Sequence, residues 1–114
     1  MHEMSLAMRI VEIALDEAQA ARARGINEIE VEVGTLAGVM AEALEFCLEA
    51  AARDTLAEKA TFTLIQVPGQ GHCLVCQRGV AIQEFPAQCP LCRGYGVTIT
   101  GGIELKIRSI TIVE

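Results

Sequence analysis

Four cysteines carry the least ambiguous chemistry in this chain. Cys73 and Cys76 form one Cys-x-x-Cys pair, and Cys89 and Cys92 form a second after twelve intervening residues. Two such pairs can place four thiolates at the corners of a tetrahedron, the arrangement a structural zinc ion takes. Four sulfurs leave no open coordination position, so such an ion serves folding and not catalysis. A rubredoxin-like iron centre has the same ligand geometry, and a redox dithiol is a further alternative. Gly79 follows the first pair and Gly94 the second, and each is expected to take the sharp turn past its sulfurs.

A second group of donors opens the chain. Met1-His2-Glu3 brings an α-amine, an imidazole, ionisable backbone amides and a carboxylate within three residues. Nitrogen donors at this density favour square-planar or tetragonal Ni(II) or Cu(II). On its own the signal is weak, because a histidine at position 2 also arises by chance. Three other residues have simpler readings. His72 is expected in an exposed loop or as a donor to a cysteine sulfur, with a role as an extra nickel ligand as the alternative. Cys47 is expected in the core of a helix face. Glu28, Glu30 and Glu32 read as a solvated strand face, or else as a docking surface. With only two histidines in 114 residues, and no carboxylate pair with a histidine or serine nucleophile arranged with it, there is little basis for acid–base or nucleophilic catalysis, and the chain reads as a non-enzyme.

The elements that must hold these groups follow from periodicity. Residues 4–24 repeat as a helix, with Met4, Ala7, Met8, Val11, Ala14, Leu15 and Ala18 on the apolar face and Gly25 closing it. Residues 28–33 alternate as a strand. Gly34 to Gly38 is a loop, and a second helix covers about 41–53 with Met40, Ala43, Leu44, Cys47, Leu48 and Ala51 inward. Residues 61–67 are β-prone and stop at Pro68-Gly69. The cysteine region adds short β-prone pieces at 80–85 and 97–100. In the last strand Ile103, Leu105 and Ile107 point inward and the phase then moves to Ile110 and Ile112, which predicts a β-bulge near Arg108-Ser109.

The expected fold is α+β, with two helices packed on a three-stranded sheet and a zinc-ribbon-like module inserted between the last two strands. Residues 1–68 with 102–114 make the α/β domain and 69–101 the metal module, hinged at its flanking glycines. The net charge of −6 argues against a nucleic-acid groove. No apolar run approaches the roughly 18 residues of a membrane span, and the first residues lack the basic start of a signal peptide. The expected location is the cytoplasm, where paired cysteines act as metal ligands and not as disulfides.

Met1-His2-Glu3-Met4-Ser5-Leu6, the Val31-Glu32-Val33-Gly34 strand end with its Thr35-Leu36-Ala37-Gly38 loop, the helix at Ala41–Ala51, the paired Cys-x-x-Cys motifs and the terminal strand together resemble the hydrogenase nickel-incorporation proteins, HypA/HybF. The resemblance spans essentially the whole chain. It implies a metallochaperone that carries Ni(II) as cargo to the large-subunit precursor of [NiFe] hydrogenase, works with a GTP-hydrolysing nickel chaperone, and in some organisms also supplies urease. It implies His2 as the side-chain nickel ligand, with the Met1 amine and the backbone nitrogens of His2 and Glu3 completing the plane. It implies Cys73, Cys76, Cys89 and Cys92 as ligands of a structural Zn(II). Thr35 stands where family members often carry Glu, and Arg93 where some carry a histidine. A zinc-ribbon adaptor for a protein partner, without nickel, is the alternative. A homodimer through open sheet edges, or by exchange of the insert, is compatible with this fold.

Overall fold

The computed structural model describes residues 3–114. The order is helix α1 (Glu3–Ala20), strand β1 (Gly25–Gly34), helix α2 (Ala41–Ala52), then β2 (Thr61–Val67), β3 (Gln70–Cys73), β4 (Arg78–Ala81), β5 (Val97–Gly101) and β6 (Leu105–Val113). Two three-stranded sheets result, ordered β2-β1-β6 and β4-β3-β5. The architecture is α+β, two helices with two small sheets. The chain clusters into two compact units. One comprises the residues up to Glu32, Val39–Ile65 and Lys106–Glu114. The other comprises Val33–Gly38 and Gln66–Leu105.

The first unit buries one stripe of each helix together with the strand residues Ile26, Ile29 and Val31. Ala7, Ile10, Val11, Ala14 and Ala18 come from α1, and Leu44, Leu48 and Ala52 from α2. The α1 stripe is rotated from the expected one. Ile10 is buried, whereas Met4 and Met8 are 40% and 60% exposed, and Met40 ahead of α2 is 71% exposed. Small alanines at 7, 14 and 18 let the helix approach closely, and a long unbranched methionine at the stripe's margin then falls outside.

α1 also ends earlier than expected. The N–H of Ala23 donates to the carbonyl of Ala18 at 2.9 Å and that of Arg22 to Gln19 at 3.0 Å, with Arg22 at φ 55°. That is a Schellman termination with Arg22 in the left-handed position. Gly25 is instead the first residue of β1.

The three glutamates of β1 are half-buried, and each has a cross-strand partner. Glu28 accepts from the Thr63 hydroxyl at 2.7 Å, Glu30 from the Ser109 hydroxyl, and Glu32 lies 3.9 Å from the Lys106 ammonium. In β6 the more buried positions run 105, 107, 109 and then 110, 112, so the expected change of phase is present. Ile103 precedes the strand and is 51% exposed, contrary to the inward position expected for it.

In the second unit β3 is the central strand, antiparallel to β4 and β5; Cys73 lies opposite Arg78 on one side and Val97 on the other. Three glycines are needed here for close backbone approach. A Cβ on Gly34 would lie 2.2 Å from the Gly102 carbonyl oxygen, one on Gly102 2.4 Å from the Gly69 Cα, and one on Gly69 2.2 Å from the Ile82 carbonyl oxygen. Around them the Thr35 hydroxyl accepts from the Gly69 N–H at 2.9 Å, and the Leu36 N–H donates to the Gly102 carbonyl at 2.8 Å.

Candidate metal centre

β3 and β4 are joined by a tight turn that carries Cys73 and Cys76, and a second turn ahead of β5 carries Cys89 and Cys92. The turns share one construction. After the second cysteine of each pair the chain enters the left-handed region, at Gln77 (φ 54°) and Arg93 (φ 62°). These residues donate their N–H groups to the carbonyls of Cys73 and Cys89, both at 2.8 Å. Gly79 and Gly94 are not at positive φ, so the expected turning residues are displaced. The left-handed position falls directly after the second sulfur, and two non-glycine side chains occupy it.

The four sulfurs lie within 4.8 Å of one another, the one such group of potential metal ligands among the described residues. The Cys73 and Cys92 sulfurs are 3.7 Å apart and those of Cys76 and Cys89 3.9 Å. A disulfide is about 2.05 Å long, so these are contacts between free thiols. A tetrahedron with metal–sulfur bonds of about 2.3 Å has edges of about 3.8 Å. The donor set and its spacing therefore suit a four-sulfur metal ion.

Backbone groups prepare the sulfurs for negative charge. The Cys76 N–H points at the Cys73 sulfur and the Leu91 N–H at the Cys89 sulfur, both at 3.4 Å. The Cys92 N–H, supported by that of Leu91, brings the Cys89 thiol down to about 7 against the opposing effect of burial. Burial, reinforced by hydrogen bonds with Cys92, Cys73 and Cys89, pushes the Cys76 thiol up to about 12. One sulfur is thus ready to ionise at neutral pH, and another yields its proton only to a competing cation. The surrounding core is small. Among the described residues its buried members are Leu36, Val80, Ile82, Cys73 and Cys89, with Cys76, Ala87, Val97 and Ile99 partly buried against them.

The other candidates lie elsewhere. His72 is exposed on β3, a strand and not the loop expected for it, opposite Gly79 and Thr98, and is not in the four-sulfur group. Cys47 is half-buried on α2. Met1 and His2 lie outside the described residues. Glu3 begins α1, and its Oε2 accepts from the Met40 N–H at 3.3 Å. Met40 is the N-cap position of α2 and lacks a side-chain cap of its own. A carboxylate delivered from 37 residues away takes up an orphan donor at the positive end of that helix. Neither this contact nor the left-handed Gln77 and Arg93 carries a sequence signal: the contact depends on where distant segments meet, and Gln and Arg have no preference for the left-handed region.

A family model for hydrogenase/urease nickel-incorporation metallochaperones, HypA, matches residues 1–112. The chain belongs to the HypA family. A hydrogenase maturation factor HypA of Chlorobaculum tepidum is 44% identical over 112 residues, covering 98% of this chain and 99% of the relative. That of Azotobacter chroococcum is 38% identical with the same coverage. The solution structure of the Ni metallochaperone HypA from Helicobacter pylori superposes with a TM-score of 0.71 over 99% of this chain and 98% of that one; at 19% identity the likeness is one of fold.

Proposed function

We propose that this chain is a nickel carrier for hydrogenase maturation. It would capture Ni(II) at its N-terminus and pass it to the large-subunit precursor of [NiFe] hydrogenase, with a GTP-hydrolysing nickel chaperone as co-worker and urease as a second client. The observation that carries this reading is the family match beginning at residue 1, with Met1-His2-Glu3 inside it. The His2 imidazole, the Met1 amine and the backbone nitrogens of His2 and Glu3 are the ligand set. A site built on a chain end can assemble and release with little change in the core, which suits a cargo that must be handed on. The Glu3–Met40 contact supports the reading, since it ties the side chain of Glu3, whose backbone nitrogen is one of the proposed ligands, to the start of α2.

The second metal is assigned as zinc, held by Cys73, Cys76, Cys89 and Cys92. When bound it would cross-link the two cysteine turns and add folding free energy to a small core whose buried aliphatic members, among the described residues, are Leu36, Val80 and Ile82. Backbone N–H groups beside Cys73 and Cys89 stabilise the thiolates that such an ion needs.

The proposed ligand set uses the α-amine, so adding one glycine ahead of Met1 moves a donor out of the plane. Nickel titration of the extended and native chains should show at least a roughly tenfold loss of affinity, about 1.4 kcal/mol. Equal affinities would exclude the amine as a ligand.

A further inference from the structure

We infer that the groove between α1 and α2 docks a cationic amphipathic helix of a partner protein. The inference does not depend on the nickel site. The groove, of about 300 Å³, is lined by Met8, Val11, Glu12, Leu15 and Asp16 of α1 and Ala51 of α2. Four of these six residues are apolar and two are acidic; Glu12 is also paired with the Arg9 guanidinium at 2.8 Å, so the excess negative charge of the lining rests on Asp16. Met8 is 60% exposed and Met4, one helical turn away on the same side, 40%. Flexible, polarisable methionine side chains suit an apolar surface that must fit a visiting helix.

Charge selects the occupant. α1 carries Glu3, Glu12, Asp16 and Glu17 against Arg9 alone, and α2 carries Glu42, Glu45 and Glu49 with no cation. The two helices thus hold six more acids than bases, which is all of the chain's net charge of −6, and the remaining residues balance. A second copy would bring two such surfaces together, and nucleic acid or an anionic membrane would be repelled in the same way. A helix with apolar residues at i, i+3, i+4 and i+7 and Lys or Arg at its margins satisfies both the apolar and the acidic lining.

The probe is a fluorescein-labelled Leu/Lys helical peptide of about five turns, roughly 18 residues. Two controls accompany it, a composition-matched scramble without amphipathic order and a Leu/Glu counterpart. Binding to the full zinc-loaded chain is followed by anisotropy. The amphipathic cationic peptide should bind at least about tenfold more tightly than the scramble, weaken with added salt, and leave the Leu/Glu peptide without measurable binding. Met8→Ser, and Glu12→Lys combined with Asp16→Lys, should each weaken it about five- to tenfold. Glu84→Lys, in the other unit, should leave it unchanged. Equal binding of scramble and amphipathic peptide, or equal weakening by Glu84→Lys, would overturn the assignment and leave only general charge attraction. Unchanged binding by both groove variants would place the peptide elsewhere and overturn it as well.

Discussion

At the scale of single residues, the behaviour of the sulfurs sets how the zinc site responds to acid. Cys76, at about 12, holds its proton through the whole neutral range, so metal binding must displace that proton at any working pH. Cys89, at about 7, adds a second proton to be displaced once the pH falls below neutrality. Protons therefore compete with the ion, and affinity is lost as pH drops. Competition against a chromophoric chelator should show apparent zinc affinity falling at least roughly tenfold per pH unit from 8 to 6; a flat profile would contradict the assigned ligands. The left-handed residues make a second test. Gln77→Gly and Arg93→Gly relieve a Cβ clash at φ 54° and 62°. Denaturant unfolding of the zinc-loaded chain should show each stabilised by about 0.5–1 kcal/mol. The cysteine spacing was legible because metal geometry constrains ligand separation. The turning residues were not, because Gln and Arg have no preference for that conformation, and the two nearby glycines pointed to the wrong positions.

At the scale of elements, legibility followed the strength of the apolar pattern. The strand at 61–67 and the helix beginning at residue 41 lie where periodicity placed them. β3 went unread. Its sequence is Gln-Gly-His-Cys, and its two buried positions are Gly71 and Cys73, residue types that signal a turn and a ligand rather than a strand interior. The apolar face of α1 was placed too far toward Met4 and Met8, because hydrophobicity alone cannot tell a buried methionine from one lining a groove. Gly34, Gly69 and Gly102 meet backbone atoms at distances that exclude a Cβ. Gly34→Ala and Gly102→Ala should therefore each cost about 2 kcal/mol or more. Gly79→Ala, whose Cβ would come no nearer than 3.9 Å to the Gly71 carbonyl oxygen, should cost nothing measurable. Thermal unfolding of the three variants tests this; three equal, small effects would contradict the close-approach account.

At the scale of the whole molecule, two chemistries are kept apart in sequence and in kind. The sulfur donors all lie between residues 73 and 92 and converge on one point. The nitrogen donors proposed for nickel belong to the first three residues of the sequence. Among the described residues no helix is long and apolar enough to cross a membrane. The fold class and the likeness to nickel-incorporation proteins were legible because the opening tripeptide, the cysteine pairs and their order occur together. The Glu3–Met40 contact and the groove between the helices were not, since each arises only when segments far apart in sequence pack. The measurement that tests the central claim most directly is a nickel titration of the untagged, zinc-loaded chain beside His2→Ala, with both metals quantified. One nickel per chain in the native protein, and loss of nickel with zinc retained in the variant, is the expected result. Equal nickel binding by both chains, or none by either, would contradict it and leave a zinc-ribbon adaptor in which His2 has no role.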